Sequence, residues 1–141
     1  MDRSRKSFED AYRAAWIEIA LPLRRVVLPP VARGLLPALP PELGGAGAVI
    51  TACNPRSERL SSDKNGARQR ELAGEIRARG WTAYSAIGRD EASTWVEPSF
   101  AVLDPPLREL MALARRFEQN AVYLWRGRSW RVVWTSLASP P

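Results

Sequence analysis

The sequence contains no histidine and a single cysteine, Cys53. Without histidine, Ser-His-Asp and Cys-His catalytic arrangements are excluded, and the commonest metal ligand is missing. One cysteine can form neither an internal disulfide nor a thiolate zinc site, and Cys53 is better explained as a small packed residue than as a nucleophile. The carboxylates lack the paired D-x-D spacing that would indicate an oxygen-ligated magnesium. We therefore expect no metal and no cofactor, and any catalysis must depend on carboxylates, the cysteine, hydroxyls, amides or arginines.

Long apolar runs are also absent. No stretch approaches the roughly 18–20 apolar residues that cross a bilayer, and the first residues lead into an amphipathic segment without the apolar region of a signal peptide. The sequence predicts a cytoplasmic protein with no membrane partner. Its 141 residues, 45% hydrophobic and 26% charged, are typical of one globular domain.

Lysine is scarce, because only two of the 21 basic residues are lysines and the other 19 are arginines. A net charge of +6 is compatible with nucleic-acid binding. The arginines are scattered, however, and a GC-rich genome produces the same bias whatever the function. Nucleic-acid binding is therefore an alternative that the composition does not favour.

The first third of the chain reads as one helix followed by a connecting segment. Apolar spacing predicts a helix over residues 7–20, with Ser7 as its N-cap and Pro22 at its end. Residues 22–47 are rich in proline and glycine and are predicted to wrap the domain, with only residues 24–28 extended as an edge strand. Residues 136–141 are expected to be a frayed tail.

From residue 48 the pattern predicts the order β-α-β-β-α-β-β. The predicted strands cover residues 48–53, 81–87, 95–103, 121–125 and 130–135. Ser61 or Ser62 begins the first helix, which ends near Gly80, and Asp104 caps the second. Pro98 within the third strand indicates a bulge or an edge position, and residues 126–129 are predicted to form a hairpin loop.

This order predicts an α+β fold. It is a ferredoxin-like β-α-β-β-α-β sandwich with an extra C-terminal hairpin strand and an N-terminal helix, in a single domain over residues 1–141. Residues 1–47 supply the helix and the wrapping segment, and residues 48–135 supply the core. Right-handed crossovers favour the third core strand between the first and second, antiparallel to both, with the fourth on the other side of the first.

That topology brings polar residues that are distant in sequence to one edge of the sheet. These residues are Asn54, Arg56, Asn65, Arg89, Asp90, Glu97, Gln119 and Asn120. The start of the first core helix, with Arg56 and Arg89, is suited to a phosphate or carboxylate, while the amides are suited to polar ligand edges. Glu97 is the best candidate for a general base and Asp90 the second.

Each of these residues also has a purely structural explanation. Asn54-Pro55 is typical of a turn that ends a strand, Asn65 can serve in a helix cap, and Gln119-Asn120 can end a helix. Glu97 can form a surface ion pair with Arg89 or Arg56. The six tryptophans are more typical of core packing than of a base-stacking platform, although those of the terminal hairpin could lie on an exposed edge.

Five short motifs occur in an order that resembles a bacterial family, domain of unknown function 3293. The motifs are Thr51-Ala52-x-Asn54-Pro55, Ser61-x3-Asn65, Gly88-x-Asp90, Trp95-x-Glu97-x-Ser99 and Phe117-x-Gln119-Asn120-Ala121-Val122. The resemblance covers residues 48–125 and implies that Asn54, Asn65, Asp90, Glu97 and Gln119 are signature positions. The family usually has an aromatic residue where this chain has Cys53. The resemblance implies no activity, cofactor or partner.

The signature positions are the same polar residues that the topology brings to one edge, which favours a site for a small anionic or nucleotide-like ligand. The alternative is a non-enzymatic interaction module or homodimer that uses the tryptophan-rich hairpin and the N-terminal helix. Nucleic-acid binding through the arginines is the second alternative. The sequence leaves open whether the protein is an enzyme.

Overall fold

The computed structural model describes residues 3–135, with side chains from residue 8 onward. Its α-helices are α1 (Arg3–Ala14), α2 (Ser62–Ala78) and α3 (Leu107–Arg116). Its strands are β1 (Trp16–Leu21), β2 (Arg24–Leu28), β3 (Ala46–Ile50), β4 (Ala83–Arg89), β5 (Val96–Leu103), β6 (Ala121–Arg126) and β7 (Ser129–Trp134). The predicted tail over residues 136–141 lies outside the described residues. None of these helices is both long enough and apolar enough to cross a membrane.

The seven strands form one sheet in the order β2-β1-β4-β5-β3-β6-β7, and every neighbouring pair is antiparallel. The fold is α+β, and the sheet curls into a half-barrel. The order of the core strands agrees with the prediction, because β5 lies between β3 and β4 while β6 pairs with the other side of β3. The hairpin of β1 and β2 extends the sheet beyond β4, which the sequence did not predict for β1.

The helix predicted over residues 7–20 is wrong at both ends. Ser7 lies inside α1 instead of capping it, and the residues after Ala15 form β1. The side chains of Ile17, Ile19 and Leu21 are buried in alternation with exposed or half-buried neighbours, which is the period of a strand. Ile19 lies four residues after Ala15, so its position fitted both a helical and a strand period.

The wrapping segment predicted over residues 22–47 contains β2 at the edge of the sheet, as expected. Beyond it, the chain crosses one face of the sheet and buries Leu36 and Leu43 completely. Several hydrogen bonds tie it to the terminal hairpin. Among them, the backbone N–H of Leu36 donates to the carbonyl of Arg128 (2.8 Å), Arg128 Nε donates to the carbonyl of Leu36 (2.6 Å), and Trp130 Nε1 donates to the carbonyl of Pro29 (2.9 Å). This segment therefore closes part of the core.

The first core strand is displaced from its predicted range, because β3 ends at Ile50. Beyond it, Thr51 Oγ1 donates a hydrogen bond to the carbonyl of Pro98 (2.7 Å). β5 pairs with β3 only over residues 100–103 and with β4 alone around Pro98. The missing N–H of Pro98 thus removes no ladder hydrogen bond toward β3, and the predicted edge position is correct locally.

The two core helices differ in how well their starts were predicted. Ser61 caps α2, since its Oγ accepts the backbone N–H of Lys64 (3.2 Å). Asp104 does not cap α3, whose N-cap is Pro106. Asp104 has a φ of 39°, and its N–H donates to the carbonyl of Ala46 (3.0 Å). Two consecutive prolines disfavour helical backbone in the residue before each of them, so the helix begins later.

The two faces of the sheet are covered by different parts of the chain. α2 and α3 pack on the helix face, where Ala48, Ile50, Leu72, Leu110 and Val122 form one buried cluster. We call the opposite side the cavity face. Its buried cluster includes residues of β1, Val49, Tyr123 and Trp125, and it is covered by α1 and residues 29–45.

Candidate functional site

A cavity of about 590 Å³ lies between α1 and the cavity face of the sheet. Ala11 and Tyr12 of α1 form one wall, and apolar side chains of β1 and β3 form the other. The predicted polar edge reaches the same space through Asn54, Glu97 and Gln119. A space of this size, mostly apolar with a few converging polar groups, is typical of sites for small organic ligands.

Asn54 has its backbone and its side chain fixed by hydrogen bonds. Its φ of 48° is left-handed, a conformation that asparagine adopts more readily than most residues. The amide oxygen accepts the N–H of Leu60 (2.9 Å) and Nδ2 of Asn65 (2.8 Å). Asn54 Nδ2 donates to Glu97 Oε2 (2.8 Å). The amide is therefore held in one orientation, with its donor on the Glu97 carboxyl.

Asn65 is the reason that Asn54 is held so firmly. It lies in the first turn of α2, and its Oδ1 accepts the backbone N–H of Asn54 (2.8 Å) while its Nδ2 donates to the Asn54 amide oxygen. Asn65 does not line the cavity. The Asn65 amide therefore has its partner in Asn54 and stabilises the site from outside the cavity.

Glu97 is one of three acids that line the cavity, with Asp90 and the exposed Glu91. Burial raises the pKa of Glu97 to about 7, although the hydrogen bond from Asn54 favours the ionised form and opposes part of this shift. Within the described residues Glu97 forms no salt bridge. Arg89 and Arg56 pair with other carboxylates, so the predicted surface ion pair of Glu97 is wrong.

Of the two arginines that the sequence favoured, Arg89 lines the cavity and Arg56 does not. Arg89 lines the cavity, but its Nε lies 2.5 Å from Glu18 Oε2. Arg56 lies outside the cavity lining, is exposed, and places Nε 3.2 Å from Glu118 Oε2. Arg59 lines the cavity, is exposed, and forms no hydrogen bond or salt bridge with any described residue. Arg59 is therefore the arginine available to a ligand.

Asp90 reaches the cavity lining but is engaged in the β4–β5 turn. Its carboxylate accepts hydrogen bonds from the Thr94 hydroxyl and from the N–H of Trp95 (3.1 Å). These two donors hold the pKa of Asp90 below its ordinary value, since both stabilise the ionised form. The geometry therefore supports Asp90 as a turn-stabilising residue more than as a general base.

Gln119 and Asn120 are adjacent in sequence, but only Gln119 lines the cavity. Gln119 is buried and lines the cavity, where its Nε2 donates to the carbonyls of Cys53 (3.0 Å) and Phe117 (3.2 Å). Its Oε1 has no hydrogen-bond partner among the described residues. Asn120 lies outside the cavity lining, and its Nδ2 donates to Ser57 Oγ (2.9 Å).

Three residues that support the site were missed. Gln69 Oε1 accepts the N–H of Ala52 (2.8 Å), and Arg68 Nε donates to the carbonyl of the same residue (2.6 Å). Gln69 lies four residues after Asn65 in α2, so it shares the helix face of Asn65 and could have been found from that spacing. Tyr12 of α1 faces the polar end, with its hydroxyl 3.4 Å from Ser57 Oγ, but its spacing had indicated only an apolar stripe.

Cys53 and the hairpin tryptophans are packing residues. Cys53 is buried, and burial raises the pKa of its thiol, as expected for a residue that is not a nucleophile. Trp125 and Trp130 are only 1% and 6% exposed. A Cβ on Gly47 would lie 2.1 Å from the Trp125 ring, so a glycine is required where this ring packs against β3.

Residues 50–122 match the family described as Protein of unknown function (DUF3293). The chain belongs to this family. The resemblance predicted from the five motifs is thereby confirmed, and the matched stretch contains all five signature positions. Comparison with curated proteins and with solved structures finds no match. No group of three or more potential metal-ligating side chains occurs in the described part of the chain.

Proposed function

We propose that the protein binds a small organic molecule in the cavity between α1 and the sheet. The apolar walls contact the body of the ligand, and its polar end reaches Glu97 and Gln119. A negatively charged group on the ligand, as the sequence predicted, would be held by Arg59 instead of Arg56 or Arg89. The ligand is small because about 590 Å³ accommodates a molecule of metabolite or nucleoside size.

The observation that carries this proposal is the unpaired carboxyl of Glu97 in a largely apolar cavity. Burying a carboxyl without a cationic partner costs stability, and the Asn54–Asn65 pair holds this group in place instead of leaving it free to turn to solvent. Perturbed and immobilised acids of this kind are concentrated at functional sites. A ligand that hydrogen-bonds to Glu97 explains why the arrangement is built.

Glu97 is also the residue of this site that is suited to proton transfer. With a pKa of about 7, both of its protonation states are populated near neutral pH, which is where a general acid or base works best. The Asn54 hydrogen bond occupies only Oε2, so Oε1 can receive a proton. Hydrolysis or group transfer would suit a bound substrate with a labile proton next to this oxygen.

For the fold, we infer a ferredoxin-like core to which β1, β2 and β7 are added. The order β4-β5-β3-β6 and the two helices on one face support this classification. A homodimer, nucleic-acid binding and a cytoplasmic location stay predictions of the sequence. The hairpin tryptophans favour neither alternative partner, since Trp125 and Trp130 are buried.

A thermal-shift screen tests the ligand proposal, with nucleosides, nucleotides, amino acids and aromatic carboxylates as probes. Each compound that stabilises the wild type is then titrated into Glu97→Gln and Glu109→Gln. The second variant makes the same chemical change on an exposed position of α3, on the opposite side of the sheet. We expect at least tenfold weaker binding for Glu97→Gln and unchanged binding for Glu109→Gln. Equal binding to both variants would contradict the proposal.

A further inference from the structure

The polar end of the cavity offers hydrogen-bond acceptors that nothing in the described structure satisfies. Glu97 Oε1 and Gln119 Oε1 both lack a partner among the described residues, although both side chains line the cavity. Gln119 is only 3% exposed, and Asn54 bonds Glu97 through Oε2 alone. Two acceptors of one cavity lining that are open to solvent and have no protein donor can be complemented by a donor-rich group.

Four side-chain donors of the cavity lining are already used by the protein. Asn54 Nδ2 donates to Glu97 Oε2, and Gln119 Nε2 donates to two backbone carbonyls. The hydroxyl of Thr51 donates to the carbonyl of Pro98 (2.7 Å), and that of Ser99 to the carbonyl of Glu97 (3.3 Å). A ligand group that itself needs donors, such as a carboxylate or phosphate, therefore finds few at this end.

The charges around Glu97 point in the same direction. Tyr12 from α1 and Tyr123 from β6 face it, and burial raises the pKa of both phenols above the ordinary value. The thiol of Cys53 after β3 is likewise kept neutral by burial, which raises its pKa. Arg89 of β4 is held by Glu18. No cationic side chain within the described residues forms a salt bridge with Glu97, so its negative charge is left for a ligand to balance.

We propose that the polar end of the cavity binds a cationic nitrogen group that donates hydrogen bonds, such as an amidine, a guanidine or a primary amine. Glu97 and Gln119 are its acceptors. This rests on the proposed function, because it names the chemical class that the same cavity selects. With Arg59 at the exposed part of the lining, a ligand that satisfies both charges carries an anionic group at its other end. An anion at the polar end is repelled by the Glu97 carboxylate.

Binding of such a cation is linked to the ionisation of Glu97. The cation binds the carboxylate form, and the pKa of Glu97 is about 7. Affinity therefore rises as the pH rises through 7, and binding at lower pH releases a proton. A neutral ligand lacks this dependence, and an anionic ligand shows the opposite one.

Three probes with the same ring and different head groups test the inference: benzamidine, benzamide and benzoate. Each is titrated into the ¹⁵N-labelled full chain, and the amide resonances of Thr51, Ser99 and Gln119 report binding at the polar end. We expect benzamidine to shift these resonances and to bind about tenfold more tightly at pH 8 than at pH 6. Benzoate should bind at least tenfold more weakly than benzamidine at pH 8.

Glu97→Gln should abolish both the preference for benzamidine and its pH dependence, while Glu109→Gln should retain them. The wild-type pH profile tests the same point without any variant. Benzamide or benzoate shifting the same resonances as strongly as benzamidine would overturn this inference and leave the proposed function standing. The inference would also be overturned, and the proposed function would stand, if compounds from the thermal-shift screen bound at the polar end and benzamidine did not. If no probe and no screened compound reaches the cavity, both proposals fail.

Discussion

The helix face and the cavity face belong to the same strands, yet the space above them is used in opposite ways. On the helix face, α2 and α3 press fully buried aliphatic side chains such as Leu72 and Leu110 onto the sheet. On the cavity face, α1 lies over an open space that contains an unpaired carboxyl. Close packing stabilises a domain, and both a void and a buried acid destabilise it. Close packing on the helix face thus offsets the cost of the void and of the unpaired acid on the cavity face.

The largest expected difference between the two faces is in the free energy of unfolding that is lost when one side chain on each face is truncated. We expect Leu72→Ala to lower the free energy of unfolding by about 2–5 kcal/mol, because it removes a fully buried side chain from a close-packed cluster. Phe8→Ala should cost about 1–2 kcal/mol, because Phe8 is half-buried and lines a space that already exists. Chemical denaturation measures both values. Equal losses would mean that the two faces are packed alike.

A second comparison concerns the backbone of Asn54, which lies in the loop between β3 and α2. Asn54→Ala should lower the free energy of unfolding by about 2 kcal/mol, since it removes the side-chain hydrogen bonds and strains a left-handed residue. Asn54→Gly loses the same bonds without that strain and should be less destabilising by about 1 kcal/mol. Thermal unfolding of the two variants in parallel gives the difference. Identical values would show that the backbone at this position is unstrained.

The smallest effect comes from the acid on the cavity face. The pKa of Glu97 is about 7 in the folded protein against an ordinary value of 4.5, so the folded state binds this proton more tightly than the unfolded state does. The stability of the wild type therefore falls as the pH rises from 4.5 toward 7. Relative to the wild type, Glu97→Gln should therefore gain about 1 kcal/mol between pH 5 and pH 8, because the opening of the cavity to solvent reduces the full linkage effect. Urea denaturation at both pH values measures it. A difference that does not change with pH would place the pKa of Glu97 near its ordinary value.

The polar edge could be predicted because topology alone fixes it. Once the order of the core strands follows from right-handed crossovers, the ends of β3 and β4 and the starts of β5 and β6 must meet. That reasoning brought Asn54 and Glu97 together across 43 positions of sequence. It gave no position for α1, whose hydrogen bond from the Tyr123 hydroxyl to the Tyr12 carbonyl (2.7 Å) joins the two ends of the chain and has no local signal.

The position of Arg59 beside the cavity could not be predicted, for a different reason. Arg56 and Ser57 both have left-handed backbone, with φ of 54° and 61°, and such conformations in residues other than glycine are uncommon. A loop with this geometry turns Arg56 toward Glu118 and leaves Arg59 beside the cavity. Residue types alone do not reveal where a side chain points after such a turn.

The stretch of chain that belongs to the DUF3293 family and the stretch that shapes the ligand space overlap only in part. Glu97, Asn54 and Gln119 all lie within residues 50–122, whereas Ala11 and Tyr12 of the wall formed by α1 precede them. The polar end of the cavity and the wall formed by α1 are thus encoded by separate stretches of the chain. Exchanging residues 8–15 would change the shape of the cavity while Glu97 and its amide partners stay in place, so under the proposed function the choice of ligand could change without altering the acid.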